Sequence, residues 1–161
     1  FGSGRLRPGP GTWGSLVGVA WLLVLLGARS VPIFCAGLIA GLAVSIWLCG
    51  EAERILGEHD PGSVVIDEIA AVPLGWLGVC LLKGSAGLVA HSPMEPAFWA
   101  QWPELLMVFV AFRVFDIWKP WPISRSQNLP GGWGVTADDV LAGLVAAGPV
   151  AAVAWWRHAI S

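Results

Sequence analysis

The sequence predicts an all-α integral membrane protein, a multi-helix bundle of about five helices. Of its 161 residues, 56% are hydrophobic and only 12% are charged, whereas soluble domains carry about 25% charged residues. The apolar residues fall into long runs that lack the alternation typical of strands. The length predicts a single domain over residues 1–161, and we expect an N-terminal piece to be missing because the chain has no initiator methionine.

Five apolar runs define the predicted helices. They extend from about Ser15 to Ala28, from Val31 to Gly50, from Ser63 to Leu82, from Ala97 to Trp118 and from Ala137 to Arg157. A helix that crosses a bilayer needs about 20 residues, at a rise of about 1.5 Å each. The last four runs meet this length, and we expect the shorter first run to form a short or re-entrant helix.

Alternating these helices across the bilayer separates the basic residues unevenly. One side carries Arg5, Arg7, Arg54, Lys119 and Arg125, and the other carries Arg29, Lys83 and Arg157. Because basic loops tend to remain in the cytoplasm, the first side is predicted to be cytoplasmic. The net charge of −2 excludes a nucleic-acid binder, which needs a dense basic surface.

Two pairs of adjacent acids lie in or at the start of apolar runs, Asp67–Glu68 and Asp138–Asp139. An unpaired carboxylate at membrane depth costs about 2.5 kcal/mol or more, so these acids are expected to face a polar cavity. For the first pair, the structural alternative is an ion pair with Arg113 or Lys119. For the second, it is a capping box that begins at Thr136, which would explain one acid better than two.

Two further segments on the same side carry acids. Asp60 precedes a proline, which is typical of an N-cap followed by the first helical residue, although a cap can also be a ligand. The role of the adjacent His59 stays open. Arg113, Asp116 and Lys119 follow an i, i+3, i+6 spacing, which fits either a local salt bridge or a carboxylate ligand between two phosphate-binding cations.

A Gly-, Ser- and Thr-rich segment at residues 2–15 leads into the first helix on this side. Such segments present backbone N–H groups to anions, so Ser3 and Thr12 are candidate phosphate contacts. Four separate regions of the chain thus converge on one membrane face. This convergence predicts a functional site.

The residue types in this site favour phosphoryl transfer. Ligand sets made only of oxygen suit a hard cation such as Mg²⁺, and carboxylates combined with Arg, Lys and an anion-binding loop suit phosphate chemistry. A site at the membrane face indicates a lipid headgroup phosphate as the substrate. The alternative is a small ion or proton carrier, which would spread its acids through the depth of the bilayer.

Four motifs together resemble the phosphatidylglycerophosphatase A family. They are FGSGRLRPGPGTWGSL (Phe1–Leu16), HDPGSVVIDE (His59–Glu68), FRVFDIWKPWPI (Phe112–Ile123) and GGWGVTADDVLAG (Gly131–Gly143). The motifs stand in the family's order and cover the chain from end to end. One departure is that Arg5 and Arg7 make the first segment more charged than is usual for the family.

The resemblance implies a Mg²⁺-dependent enzyme of the bacterial inner membrane that converts phosphatidylglycerophosphate to phosphatidylglycerol. The metal and catalytic residues that it implies are Asp60, Asp67, Glu68, Asp116, Asp138 and Asp139. We predict that Asp60, Asp67, Asp116 and Asp139 are catalytic. Arg113 and Lys119 are implied to contact the phosphate. The number of metal ions, the nature of the attacking group and the oligomeric state stay open.

Overall fold

The computed structural model describes residues 9–87, 100–127 and 129–160, without the side chains at positions 85 and 86. Within these ranges the chain forms helices and no strand, which confirms the predicted all-α class. The α-helices in chain order are α1 (Pro10–Gly27), α2 (Val31–Leu56), α3 (Ile66–Ala71), α4 (Leu77–Lys83), α5 (Trp102–Trp118), α6 (Ile123–Ser126) and α7 (Gly132–Ile160). Two 3₁₀ segments, Val72–Trp76 and Gly84–Gly87, precede and follow α4.

Three of the described helices, α1, α2 and α7, are long and apolar enough to cross a membrane. Their most apolar windows have mean hydropathies of 1.5, 2.2 and 1.5. The first helix is therefore longer than the short or re-entrant helix predicted for it. It begins five residues before the predicted start, at Pro10, because proline is well tolerated in the first turn of a helix.

The third predicted helix is not continuous, so its prediction as a single spanning helix is wrong. The run from Ser63 to Leu82 divides into α3, the 3₁₀ segment and α4. Pro73 lies in the first turn of the 3₁₀ segment, where the missing N–H group prevents regular α-helical hydrogen bonding. This change of helix type comes about one turn after the acidic pair and leaves α3 only six residues long.

Helix α7 forms the centre of the bundle and packs against α2, α4, α5 and the 3₁₀ segment of the broken helix. Close backbone contacts make this possible: a Cβ atom at Gly143 would lie 2.6 Å from the carbonyl oxygen of Ala71. The core includes the fully buried side chains of Trp76 and Phe112. This packing fixes the start of α7 beside α3.

The bounds of the last two long helices differ from those predicted. Helix α5 begins at Trp102, and the predicted start at Ala97 lies outside the described residues. Helix α7 begins at Gly132, five residues before the predicted start. Thr136 is therefore an interior residue and not an N-cap, and its hydroxyl shares a 3.0 Å hydrogen bond with Ser45 Oγ of α2.

Candidate active site

A polar cavity of about 280 Å³ lies at one end of the bundle. The first residues of α1, the loop before α3, α3 itself, the end of α5 and the beginning of α7 form its walls. The acids that line it are Asp60, Asp67, Glu68, Asp116, Asp138 and Asp139. The basic residues that line it are Arg113 and Lys119. The four regions that the sequence assigned to one membrane face therefore share one cavity.

Helix α1 approaches α3 closely at the wall that holds Glu68. A Cβ atom at Gly11 would overlap Glu68 Oε1, and one at Gly14 would lie 2.7 Å from Glu68 Oε2. Ser15, one residue further on, donates a 3.0 Å hydrogen bond to Glu68 Oε2. The small residues of α1 thus provide space for the Glu68 carboxylate and orient it.

Arg113 bridges two acids of the cavity. Its Nη1 atom donates a 2.5 Å hydrogen bond to Asp116 Oδ2, one turn further along α5, and lies 3.5 Å from Glu68 Oε1. The ion pair expected as the alternative for Glu68 and the local salt bridge expected as the alternative for Asp116 are therefore both present, and both use Arg113. They use one guanidinium for two carboxylates, so they leave the remaining acids of the cavity to other partners.

Lys119 ends α5 and pairs with α7. Its backbone adopts a left-handed conformation (φ 44°), and the proline that follows cannot continue the helix. Its Nζ atom donates a 2.5 Å hydrogen bond to Asp138 Oδ2. Burial lowers the pKa of Lys119, but this bond and the neighbouring carboxylates outweigh that effect and raise the pKa above its usual value, so the ammonium stays charged.

The Asp138 carboxylate has one satisfied and one unsatisfied oxygen. Besides Lys119, Gln127 Nε2 donates a 2.9 Å hydrogen bond to Asp138 Oδ2. The other oxygen, Oδ1, is buried and has no hydrogen-bond partner among the described residues. A buried polar atom without a partner is uncommon in native proteins and indicates a place for an ion, water or ligand.

Asp60 lies in the loop between α2 and α3 and is not a helix N-cap, because α3 begins only at Ile66. Its backbone is left-handed (φ 50°), and its N–H donates a 3.1 Å hydrogen bond to Glu53 Oε1. The same Glu53 oxygen lies 2.5 Å from His59 Nδ1. Desolvation raises the pKa of Asp60, although the Lys119 charge opposes the shift.

Asp67 and Asp139 are the most deeply placed acids of the predicted catalytic set. Their exposed fractions are 5% and 4%, and Asp67 Oδ1 accepts a 3.0 Å hydrogen bond from the Glu68 N–H group. Burial this deep penalises the ionised form of both acids, and a cation bound in the cavity would offset that penalty.

The described residues agree with a metal site in donor type but do not form a closed set of ligands. Among the described residues, no group of at least three His, Cys, Asp or Glu side chains lies close enough together to hold a metal ion. Arg113 and Lys119 instead pair with Asp116 and Asp138. The excess of carboxylates and the unpartnered Asp138 oxygen nevertheless suit a hard divalent cation.

The two predicted phosphate contacts of the N-terminal segment have different outcomes. Thr12 is exposed and is not among the residues that line the cavity, although Gly9, Pro10 and Gly11 are. Ser3 lies outside the described residues.

Three contacts of the site were missed at the sequence level. Gln127 donates to Asp138, Ser15 donates to Glu68, and Glu53 holds the Asp60 loop. The i, i+3 and i, i+4 spacings of Gly11, Gly14 and Ser15 could have indicated close helix packing. No local pattern marks Gln127 or Glu53, because each acts on a residue of another segment.

Apolar helices of membrane-spanning length combine here with a carboxylate-rich cavity that also holds Arg and Lys. The fold and site are those of an all-helical protein of the membrane type, with a polar cavity suited to phosphate chemistry. This chemistry is supported by comparison with known proteins.

The chain matches the family model of phosphatidylglycerophosphatase A over residues 1–154, and it belongs to that family. It is 36% identical over 157 residues to a phosphatidylglycerophosphatase A of Haemophilus influenzae, covering 97% of this chain and 85% of the relative. The protein of the same name in Escherichia coli is 32% identical over 150 residues, covering 92% of this chain and 76% of the relative.

A third relative carries a different name. It is a "Putative phosphatidylinositol-3-phosphatase" of Bacteroides thetaiotaomicron, 32% identical over 159 residues, or 96% of this chain and 89% of the relative. No solved structure shows significant similarity to the chain.

Proposed function

We propose that the protein hydrolyses phosphatidylglycerophosphate to phosphatidylglycerol and phosphate, with Mg²⁺ as its cofactor. We place the site at the cytoplasmic face of the bacterial inner membrane. One observation carries the proposal: six acids and two bases from separate segments line one cavity at the end of membrane-length helices. The family and the names of two relatives support phosphatidylglycerophosphate as the substrate.

Arg113 and Lys119 are the proposed phosphate-binding groups. Both are cationic and line the cavity, and charge-assisted hydrogen bonds from such groups to phosphate oxygens are strong. A bound phosphate would compete with Asp116 and Asp138, which these cations now contact. Substrate binding and release of these two carboxylates are therefore coupled in the proposal.

The acids of the cavity are the proposed metal ligands and proton acceptors. Asp60, Asp67, Glu68, Asp116, Asp138 and Asp139 would hold Mg²⁺, with Asp138 Oδ1 available because it lacks a partner among the described residues. The bound ion would supply charge neutralisation for the phosphoryl oxygens. Asp60, Asp67, Asp116 and Asp139 are the proposed catalytic carboxylates, since a carboxylate in this cavity can act as the general base that takes the proton of an attacking water.

A carrier function is less well supported by the distribution of acids. A path for ions would need carboxylates through the depth of the bundle. Glu104 is the described acid of the opposite end, and it forms a 2.6 Å ion pair with Arg157. No other Asp or Glu of the described residues lies between this pair and the acids of the cavity.

Phosphate release from purified protein tests the proposal. Wild type should release phosphate from phosphatidylglycerophosphate faster than from phosphatidylinositol 3-phosphate, and EDTA should stop both until Mg²⁺ is restored. Asp67→Asn should lower release by about 10³-fold, the scale of losing a group that stabilises the transition state. Glu58→Gln is the matched control, because Glu58 is an exposed acid in the loop before α3 and does not line the cavity.

The opposite results would reject separate parts of the proposal. Release that persists in EDTA rejects the metal. Faster release from phosphatidylinositol 3-phosphate rejects the substrate, and equal activity of Asp67→Asn and Glu58→Gln rejects the site.

A further inference from the structure

An apolar groove of about 370 Å³ lies on the side of the bundle, between α1, α2 and α3. Its walls are almost entirely apolar and come from Trp21 of α1, Ala40 and Val44 of α2, and Ile66 and Ile69 of α3, among others. Helices α1 and α2 are both candidate membrane spans, so the groove opens where lipid chains are found. No other described segment fills it.

Helix α3 separates this groove from the polar cavity. Ile66, Ile69 and Ala70 follow the i, i+3, i+4 spacing of one helix face, and all three line the groove. Asp67 and Glu68 occupy the other face and line the cavity. The short helix α3 thus separates the apolar groove from the proposed phosphate site.

The groove extends along the side of the bundle, away from the cavity end. Gly11 of α1 lines the cavity, whereas Trp21 lines the groove, and the two residues are about 15 Å apart along the helix axis. On α2 the groove spans from Val44 to Gly37, about 10 Å of helix. An acyl chain takes this direction when its headgroup lies at the membrane surface.

We propose that this groove binds an acyl chain of the lipid whose phosphate occupies the cavity, so that α3 forms the junction between tail and headgroup sites. The inference rests on the proposed lipid phosphatase function and adds a tail-binding site to it. The missing side chain of Gly41 leaves space in the groove wall, where a Cβ would be in ordinary contact with Trp21 Nε1 at 3.5 Å and Ala70 Cβ at 3.9 Å. A single lipid would then be held by apolar contacts and by charge.

Filling the groove tests the proposal. Ala40 is exposed and lines the groove, whereas Ala43 is exposed on the same helix and does not. Ala40→Phe should lower kcat/KM for long-chain phosphatidylglycerophosphate by about tenfold, roughly the loss of two buried methylene groups. Its activity on the deacylated headgroup, glycerophosphoglycerol phosphate, should not change, and Ala43→Phe should resemble wild type on both substrates.

The result that overturns the tail site is an equal effect of Ala40→Phe on both substrates, no effect on either, or the same effect from Ala43→Phe. Equal loss would mean that the substitution acts through the fold or the cavity. No effect, or loss shared with Ala43→Phe, would mean that the groove holds only bulk lipid.

A binding measurement separates this inference from the proposed function. A phosphatidylglycerophosphate analogue with a photoreactive diazirine in one acyl chain should label groove residues in wild type and label them less in Ala40→Phe. Labelling without phosphate release would reject the proposed activity and retain the tail site. Phosphate release with equal labelling of both proteins would reject the tail site and retain the activity.

Discussion

The two ends of the bundle treat buried charge in opposite ways. At the end distant from the cavity, Glu104 of α5 is 3% exposed and pairs with Arg157 of α7, one acid with one base. At the cavity end of the same two helices, acids outnumber bases six to two among the described lining residues. There Lys119 pairs with Asp138, and Arg113 is shared between Asp116 and Glu68.

This difference separates structural charge from functional charge. In a matched buried pair, the attraction between the two charges offsets their desolvation cost and holds two helix ends together. Neither group is then available to bind a ligand. An unmatched cluster is unfavourable in the folded protein alone, and such sites are typical of ligand and ion binding. The unpartnered Oδ1 atom of Asp138 is the local sign of that imbalance.

The largest expected effect is the loss of activity when one acid is removed from the cavity. Asp139→Asn should lower kcat by about 10³-fold, because the proposed function has this carboxylate acting on the reacting phosphate. The melting temperature in detergent should stay the same or rise, since the substitution removes a buried like charge. Phosphate release and a thermal unfolding assay on one preparation check both expectations, and a clear fall in melting temperature would contradict the proposed imbalance.

The reverse pattern is expected at the distant end. Glu104→Gln leaves Arg157 without its carboxylate and should destabilise the protein by about 1–2 kcal/mol, since the arginine side chain is still partly exposed. This corresponds to a fall of about 3–6 °C in melting temperature. The kcat of the folded fraction should match wild type, and a loss of kcat comparable to that of Asp139→Asn would show that the two ends are not independent.

The sequence predicted the cavity more accurately than the helices that build it. Acids within apolar runs are costly wherever they lie, so Asp67 and Asp139 indicate a polar site before any packing is known. Helix bounds depend on local sequence and on tertiary contacts together. Pro73 is a local feature that explains the interruption after Ala71, whereas the early start of α7 goes with packing that places Thr136 opposite Ser45 of α2. No local sequence pattern predicts where α7 starts or that Thr136 contacts Ser45.

A smaller effect is expected from the glycine that gives Glu68 its space. In Gly11→Ala the new Cβ would overlap Glu68 Oε1 and lie 2.9 Å from Arg113 Nη1. The carboxylate must move, and kcat should fall by about 10–100-fold, the scale of a misplaced catalytic or binding group. Gly148→Ala is the matched control, because its added Cβ would project into open space away from its own helix backbone. Steady-state kinetics of the pair decide, and similar values for both variants would mean that Glu68 needs no defined position.

The smallest effect concerns the loop that carries Asp60. Glu53 accepts the Asp60 N–H through one carboxylate oxygen and so holds a left-handed residue at the cavity wall. Glu53→Ala removes the acceptor and should lower kcat/KM by about tenfold, the worth of about 1.4 kcal/mol. Glu53→Gln retains a carbonyl acceptor at this position and should preserve most of the activity.

If both variants lose activity equally, the charge of Glu53 matters and its hydrogen bond to the loop does not, because only the glutamine can replace that bond. Glu51→Ala, which removes an acid that pairs with Arg54 outside the cavity, controls for the general loss of negative charge near this end of α2.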